Sequence, residues 1–529
     1  MSDRRRWLGL PFIALGVALI IVDATIVNVA IPSIFTELKI TSTEAQWTQE
    51  SYTLVFASLL LVFGRLADRF GRRRLFVFGV LMFAGSSILV ATAQSGTMLI
   101  ASRLLQGVGG AMMLPNSLSL LNSTFRGKDR AAAFAVWGST IGAAAAFGPL
   151  LGGWLTTSFS WRWAFGINIP LGALVLFGVL AFIDESRSED GRTGADITGA
   201  ILSVLGIGSI VFGLIEGRNY GWWSAIGENS VGGLSIVPLC FAAGVALLVL
   251  MIVVELRRNR AGLPVLLDLQ LLSIKSFRNA NIAAAIVSLG EFGLLFALPL
   301  WLQNVLGYSA FDTGLILMSL AAGSFLASGV GAPLGNKIGP VAIVRAGLML
   351  ELIGIAIAGV VISSTTSWQV ICVPLFIYGA GVGLATAQLT GVALMDVPIA
   401  QSGQGSGITS TSRQLGSALG IALLGTVLFS SFGASLDNRL QEIPGLPAAQ
   451  AAELRDGIVA SAGTAIPALR ENPTTAAVAE AAGEALSEGT RLAAYAGAVF
   501  LLLGWLAALS LGKSRPVEAE PEPAAAPQE

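Results

Sequence analysis

The sequence predicts an all-α polytopic membrane protein: two six-helix bundles with two further helices inserted between them, fourteen transmembrane helices in all. Three observations carry this. Charged residues make up only 12% of the chain and apolar residues 54%, against roughly 25% charged in soluble domains. The apolar residues fall in long blocks rather than at amphipathic spacing, and about 20 of them suffice to cross a bilayer as a helix. Segments in the two halves of the chain also match at a single shift of 268 residues.

Taken in order, the expected spans are 8–32, 47–66, 75–94, 97–123, 131–155, 164–183, 197–216, 234–254, 279–302, 313–333, 341–362, 368–393, 404–431 and 491–511. The first block follows MSDRRRW. It is too long for a leader's apolar core, carries Asp23 and lacks a small-residue cleavage site, so it reads as the first membrane helix. The N-terminal bundle is expected over 1–196, the inserted pair over 197–254 and a linker, possible as an interfacial segment, over 255–278. The C-terminal bundle takes 279–512 with an outer loop at 432–490, and 513–529 is expected to be a disordered tail. For the loop, short capping helices and mostly disordered chain are both open; for 264–278, so are an amphipathic helix and an ordinary loop.

Orientation follows from Lys and Arg in the loops, because basic loops stay in the cytoplasm. With arginines near span ends given to the adjoining loop, one side holds 22 and the other 7, leaving Arg103 and Arg413 inside spans. Both termini are expected to be cytoplasmic. A net charge of −1 without a basic domain gives no footing for nucleic acid. Cys240 and Cys372 lie in separate apolar spans and read as reduced interior residues.

The chain has no histidine, which removes serine–histidine and cysteine–histidine nucleophiles and histidine-built zinc sites. LGKS at 511–514 echoes a phosphate loop, but Ala507 stands where that loop needs glycine. No catalytic, metal or cofactor site is therefore expected. Uphill movement of a solute would have to draw on an ion gradient.

The repeat places LADRFG (66–71) on LGNKIG (334–339), Asp23 on Glu291 and Gly148 on Gly416. A duplicated six-helix unit is a transporter architecture, with its site near mid-membrane between the halves. Acidic residues point the same way. Asp23, Glu50, Glu291 and Glu351 fall within spans, and Glu216 at a span end. An ionised side chain at the centre of a span costs about 2.5–3.5 kcal/mol, so such residues face a protein interior or a wet cavity, or pair with a buried arginine. With histidine absent and arginine always protonated, carboxyl groups are the available proton carriers, and one held away from water gives up its proton less readily.

One charged cluster stands out: GRLADRFGRRR at 64–74, between the second and third spans. Its arginines serve topology, but Asp68 and the glycine spacing need another reason. This stretch resembles the loop between helices 2 and 3 of the major facilitator superfamily, and the chain as a whole resembles the fourteen-helix drug:proton antiporter branch. The resemblance implies the major facilitator fold. It further implies that Gly64 and Gly71 permit tight turns while Asp68, Arg69, Arg72 and Arg73 form a latch that holds and releases the two halves. RLLQGVGGA (103–111) resembles the helix 4 motif, which gives Arg103 a role in proton coupling. GPLLGG, with Gly148, Pro149, Gly152 and Gly153, resembles the helix 5 motif of exporters, with Ala144 in place of a frequent glycine. VDATIVNVAIP (22–32), WRWAFGINIPLG (161–172) and Glu50 two positions before Tyr52 resemble the same branch. They make Asp23 and Glu50 candidate proton or cation sites.

The function expected on these grounds is a proton-driven exporter of lipophilic, often cationic, drugs or toxic small molecules from the bacterial cytoplasmic membrane. Coupling is assigned to Asp23, Glu50, Arg103, Glu291 and Glu351, and Phe56, Tyr52, Phe292 and Phe296 are candidate pocket aromatics. Small lipophilic substrate, protons and membrane lipid are the expected partners, nucleic acid is excluded, and a monomer is expected. A narrow natural-product or lipid exporter and an uptake symporter remain open alternatives, and a membrane sensor is a third.

Overall fold

A computed structural model describes residues 3–40, 42–187, 196–225, 230–231 and 233–512. Its long helices run antiparallel to their chain neighbours, so α1 (Asp3–Leu38), α2 (Ser42–Phe70), α3 (Arg72–Ala91), α4 (Gly96–Thr124) and α5 (Gly127–Ser158) cross the molecule in turn. The sixth crossing is broken at Ile167 into α6 (Trp161–Gly166) and α7 (Asn168–Phe182). An inserted pair follows, α8 (Ile197–Tyr220) and α9 (Ile236–Arg260), joined through two short antiparallel strands, β1 (Ser230–Val231) and β2 (Leu234–Ser235). Then come α10 (Lys275–Asn304), α11 (Ala310–Ile338), α12 (Pro340–Val361), α13 (Trp368–Met395) and α14 (Ser402–Gln441). Two short helices, α15 (Ala448–Ala460) and α16 (Ile466–Glu471), precede the last crossing, α17 (Ala476–Leu509).

Twelve of the described crossings are long and apolar enough to span a membrane, judged by length and composition. Neither α2 nor α5 is among them. Each has the length, at 29 and 32 residues, but α2 carries Glu44, Glu50, Arg65, Asp68 and Arg69 within its run. Apolar side chains point outward around the molecule, among them Phe78, Phe177, Val245, Phe325 and Val360. The chain is a multi-pass membrane protein.

One apolar core lies chiefly in α1–α7, with Leu271, Phe277, Leu394 and Val397 joining it, and a second lies within α10–α17. Between these groups α2 packs on α14, and α5 on α11 and α13. Of the inserted pair, α8 leans on α2 while α9 packs chiefly on α8.

The internal match of the sequence has physical counterparts. Gly71 breaks α2 from α3 at φ 108°, and Gly339 breaks α11 from α12 at φ 91°. Both angles lie where a side chain is strained. Gly148 of α5 faces Thr25 of α1, and Gly416 of α14 faces the backbone of Ala285 in α10.

Two stretches differ from expectation. α14 continues to Gln441 and α17 starts at Ala476, so the outer connection shortens to the residues around α15 and α16. The Ala-rich stretch before residue 491 continues the last helix, with Arg439 of α14 paired to Glu484 and Glu488 of α17. Residues 264–278 are neither a surface helix nor a free loop. Val265, Leu266, Leu267 and Leu271 are buried, a 3-10 turn spans Leu269–Ser273, and the Asp268 amide donates to Gln404 at 2.8 Å. The tail at 513–529 lies outside the described residues.

In the second bundle α10 meets α14 at close range. A Cβ on Gly416 or Gly420 would sit 2.1 Å from the carbonyl oxygen of Ala285 or Leu289. Small residues let backbones meet this closely in membranes. Gly420→Val is therefore expected to push α10 from α14 and lower the melting temperature of the purified protein, whereas Gly425→Ala, with no contact closer than 3.6 Å, should leave it near the parent value.

Candidate functional site

Four features sit where the sequence concentrates its polar residues. The first is the centre of the N-terminal bundle. Asp23 of α1 is fully buried, and one carboxylate oxygen is ion-paired to Arg103 of α4. Its other oxygen accepts from Gln106 Nε2 and Asn168 Nδ2, each at 2.8 Å. Both amides also donate to the Ser87 hydroxyl. Arg103 itself donates to Gln106 Oε1 at 2.6 Å and to the Thr48 carbonyl at 3.0 Å, and lies 4.3 Å over the Tyr52 ring. Five crossings thus meet around one carboxylate. Gln106 and Asn168 were not singled out from the sequence, although both are amides inside apolar runs.

The second feature lies in the C-terminal bundle. Glu291 of α10 pairs with Arg413 of α14 at 3.8 Å and accepts from the Thr386 hydroxyl at 3.3 Å. Glu351 of α12 is fully buried, packed where Gly381 of α13 leaves room for its side chain. Neither of its carboxyl oxygens has a hydrogen-bond partner.

Between these two lies the third feature, a cavity of about 710 Å³ bounded by α2, α8, α10 and α14 and roofed near Thr464. Its walls carry Leu214, Ile215, Leu295, Phe296 and Ile421, four amides (Gln49, Gln303, Asn304, Gln414) and Glu50. Among the described lining residues Glu50 carries the charge. Of the expected aromatics Phe296 lines the cavity, whereas Tyr52 and Phe56 stack on each other at 5.7 Å inside the N-terminal bundle. The side chain of Phe292 lies outside the described set.

The fourth feature closes the face that carries both termini. Asp68, fully buried at the end of α2, accepts from the Gly403 amide at 2.7 Å and the Gln404 amide at 2.9 Å. These are N-terminal amides of α14, which lack partners within their own helix, and the positive end of that helix favours a carboxylate. Arg72 donates to Asp68 at 2.8 Å and to the Ile399 carbonyl at 2.5 Å, so it too joins the halves. Gly64 makes the approach possible, since a Cβ there would lie 2.5 Å from the Gly403 carbonyl oxygen.

The rest of the charged turn acts locally. Glu185 accepts from the Arg73 and Arg74 amides, capping α3, and Arg73 donates to the Ile183 carbonyl. Gly71 leaves room for the Glu185 carboxylate. Arg69 stands exposed over Phe70. The GPLLGG run faces α1: a Cβ on Gly148 or Gly152 would overlap Thr25 or Ile26, and Gly153 is buried beside them. Pro149 lies within α5, its side chain outside the described set.

Variants at Asp23 and Asp68 test these assignments. Asp23→Asn leaves Arg103 buried without its counter-charge, a loss of about 3–5 kcal/mol. The double variant Asp23→Asn/Arg103→Gln should melt higher than Asp23→Asn alone. Asp68→Asn keeps the shape of the cap and removes its charge. A cysteine at the buried position Ser406, in a background lacking Cys240 and Cys372, should then react faster with a polar thiol reagent applied from the terminal face.

Comparison with known proteins accords with this architecture. Residues 13–421 match the family model of the Major Facilitator Superfamily. The chain is 34% identical over 444 residues to a probable actinorhodin transporter of Streptomyces coelicolor, covering 81% of this chain and 73% of that one. It is 34% identical over 441 residues to the multidrug resistance protein Stp of Mycobacterium tuberculosis, covering 83% and 79%. Among solved structures, the human organic anion transporter MFSD10 superposes with a TM-score of 0.59 at 14% identity, over 96% of this chain and all of that one, a likeness of fold. The chain belongs to the major facilitator superfamily, a family of membrane transporters rather than enzymes.

Proposed function

We propose that this protein is a proton-driven exporter of lipophilic, predominantly cationic, small molecules. In this reading it is a fourteen-helix monomer in the bacterial cytoplasmic membrane, with both termini inside. The fourteen crossings comprise the twelve apolar ones together with α2 and α5, each long enough to cross. They form an N-terminal six-helix bundle, the inserted pair α8–α9 and a C-terminal six-helix bundle. The observation that carries the reading is the cavity, whose described lining combines apolar walls, four amides and the carboxylate of Glu50. Such a lining suits an apolar cation, which needs desolvated contact area and one counter-charge. Coupling and binding groups are drawn from Asp23, Glu50, Arg103, Glu291 and Glu351.

Alternating access supplies the cycle. With Asp68 seated on α14 the terminal face is shut, and releasing that cap would let the halves rock open toward the cytoplasm. The direction of transport is supported by the resemblance of GPLLGG to the helix 5 motif of exporters and by the word resistance in the name of the mycobacterial relative. A narrow exporter of one aromatic natural product is the second reading, favoured by the relative named as a probable actinorhodin transporter and by the amides of the cavity wall.

Purified protein in sealed liposomes with an imposed pH gradient provides the test, with ethidium as the probe. Ethidium is expected to move against the proton gradient and to stop on addition of a protonophore. Glu50→Gln should raise the apparent Kd for ethidium about tenfold, the equivalent of about 1.4 kcal/mol. Movement with the proton flux would make the protein a symporter. Gradient-driven movement of an anionic polyketide but not of ethidium would favour the second reading.

A further inference from the structure

We infer that this protein holds a phospholipid with an anionic headgroup in a cleft between α2 and α8. The headgroup sits on Arg65 and Arg69, and an acyl chain runs from it into the membrane. The cleft is separate from the cavity described above, and the inference does not rest on the exporter reading.

Two helical stripes form the cleft. Val62, Arg65, Leu66 and Arg69 recur at helical spacing along α2, which puts them on one face. Ile197, Ile201 and Leu205 recur in the same way along α8. Together these stripes enclose about 480 Å³. Pro264, Val265 and Leu266 of the buried strap close the end at Asp196, where the Leu266 amide donates to that carboxylate at 3.3 Å. Ile197, Ile201 and Leu205 stand exposed, so the cleft opens outward from the helices rather than into them.

Charge is confined to one end. Arg65 and Arg69 lie one turn apart on α2, and like charges at that spacing repel. Neither has a hydrogen bond or ion pair among the described residues, and Arg69 rests only on the Phe70 ring. Asp196, the acid of the described lining, is already taken. Its side chain is 1% exposed, paired to Arg258 at 3.3 Å, and accepts from the Gly199 amide at 2.8 Å. From Ile197 to Leu205 the α8 wall is apolar over about 12 Å of helix axis.

A cleft charged at one end and apolar along its length fits an amphiphile. Free phosphate would answer the arginines and leave the apolar stripe uncovered. A zwitterionic headgroup brings its own cation, which two guanidiniums repel. An anionic phospholipid satisfies both ends, because its phosphate oxygens match the guanidinium forks. In the proposed orientation this end meets the cytoplasmic leaflet, whose negative surface potential reflects lipids of that class. The bound lipid also has a structural role. α8 leans on α2 while α9 packs chiefly on α8, so a chain in this seam fastens the inserted pair to the N-terminal bundle.

Native mass spectrometry of the delipidated full-length protein tests this, with dioleoyl phosphatidylglycerol and dioleoyl phosphatidylcholine offered at equal concentration. The parent should retain one phosphatidylglycerol about tenfold better than phosphatidylcholine, and melt higher in its presence. Arg65→Gln/Arg69→Gln should retain it no better than phosphatidylcholine, with the parent's melting temperature in lipid-free detergent. Ala200→Trp, which fills the cleft and keeps both arginines, should lose the lipid as well. Arg257→Gln/Arg260→Gln removes two exposed charges from the last turn of α9, outside the cleft, and should retain it. Equal retention of the two lipids by the parent, retention by either cleft variant, or loss in the α9 variant would overturn the proposal. Displacement of the lipid by inorganic phosphate would also overturn it and assign the arginines to a soluble anion. None of these readouts requires transport, so a failed exporter reading would leave the lipid site standing.

Discussion

Every ionised group inside this protein must find its counter-charge among other helices, because the surrounding medium supplies none. That constraint organises the interior more tightly than apolar packing does. Lipid is as apolar as leucine, so burying leucine gives little drive for one helix to meet another. The polar contacts and the glycine seams specify which helices meet, and where. Around Asp23 both carboxylate oxygens find donors on α4 and α7, and Ser87 of α3 accepts from the same amides, which ties those helices to α1. Within α10–α14 it is met only in part, and the shortfall sits on Glu351.

Asp68 answers the same demand differently. Its partners are two backbone amides that belong to the other half of the molecule, and an arginine that also reaches across. Water can replace backbone amides at an open helix end as readily as a carboxylate can cap them. The junction is therefore a reversible one, strong when dry and cheap to release when wet. The Asp23 cluster has no such substitute available, since it is sealed on all sides. In the proposed cycle the two clusters divide the work: one holds a bundle together and the other lets the bundles separate.

Much of this was legible in the sequence because membrane physics leaves few choices. Block length gave the twelve apolar crossings, and the cost of intramembrane charge drew attention to Asp23, Glu50, Glu291 and Glu351. Arg103 and Arg413 were visible as available partners, but nothing local told which acid each would meet. Gln106 and Asn168 escaped notice because an amide carries no formal charge to mark it. The extent of α14 and α17 was misjudged for a related reason: the alanine-rich, acidic stretch before residue 491 lacks the apolar character used to find spans, yet helix propensity and Arg439 extend the helix through it. The buried strap at 264–271 depends on the Gln404 side chain, more than a hundred residues away.

The cap built from α15 and α16 is fastened on one side only. Asn304 of α10 donates to the Ala462 carbonyl, Arg470 of α16 to the Val305 carbonyl, and Ile458 and Ile466 sit in the C-terminal core. The roof over the cavity thus travels as cargo of one half rather than as a tethered flap. In the proposed cycle its aperture changes with the position of that half, and the described cap keeps its helices through each turnover. The entropy of loop ordering, about 1–2 kcal/mol for each residue fixed, stays out of the cycle. Passage through that mouth is accordingly a matter of the size and shape of the solute.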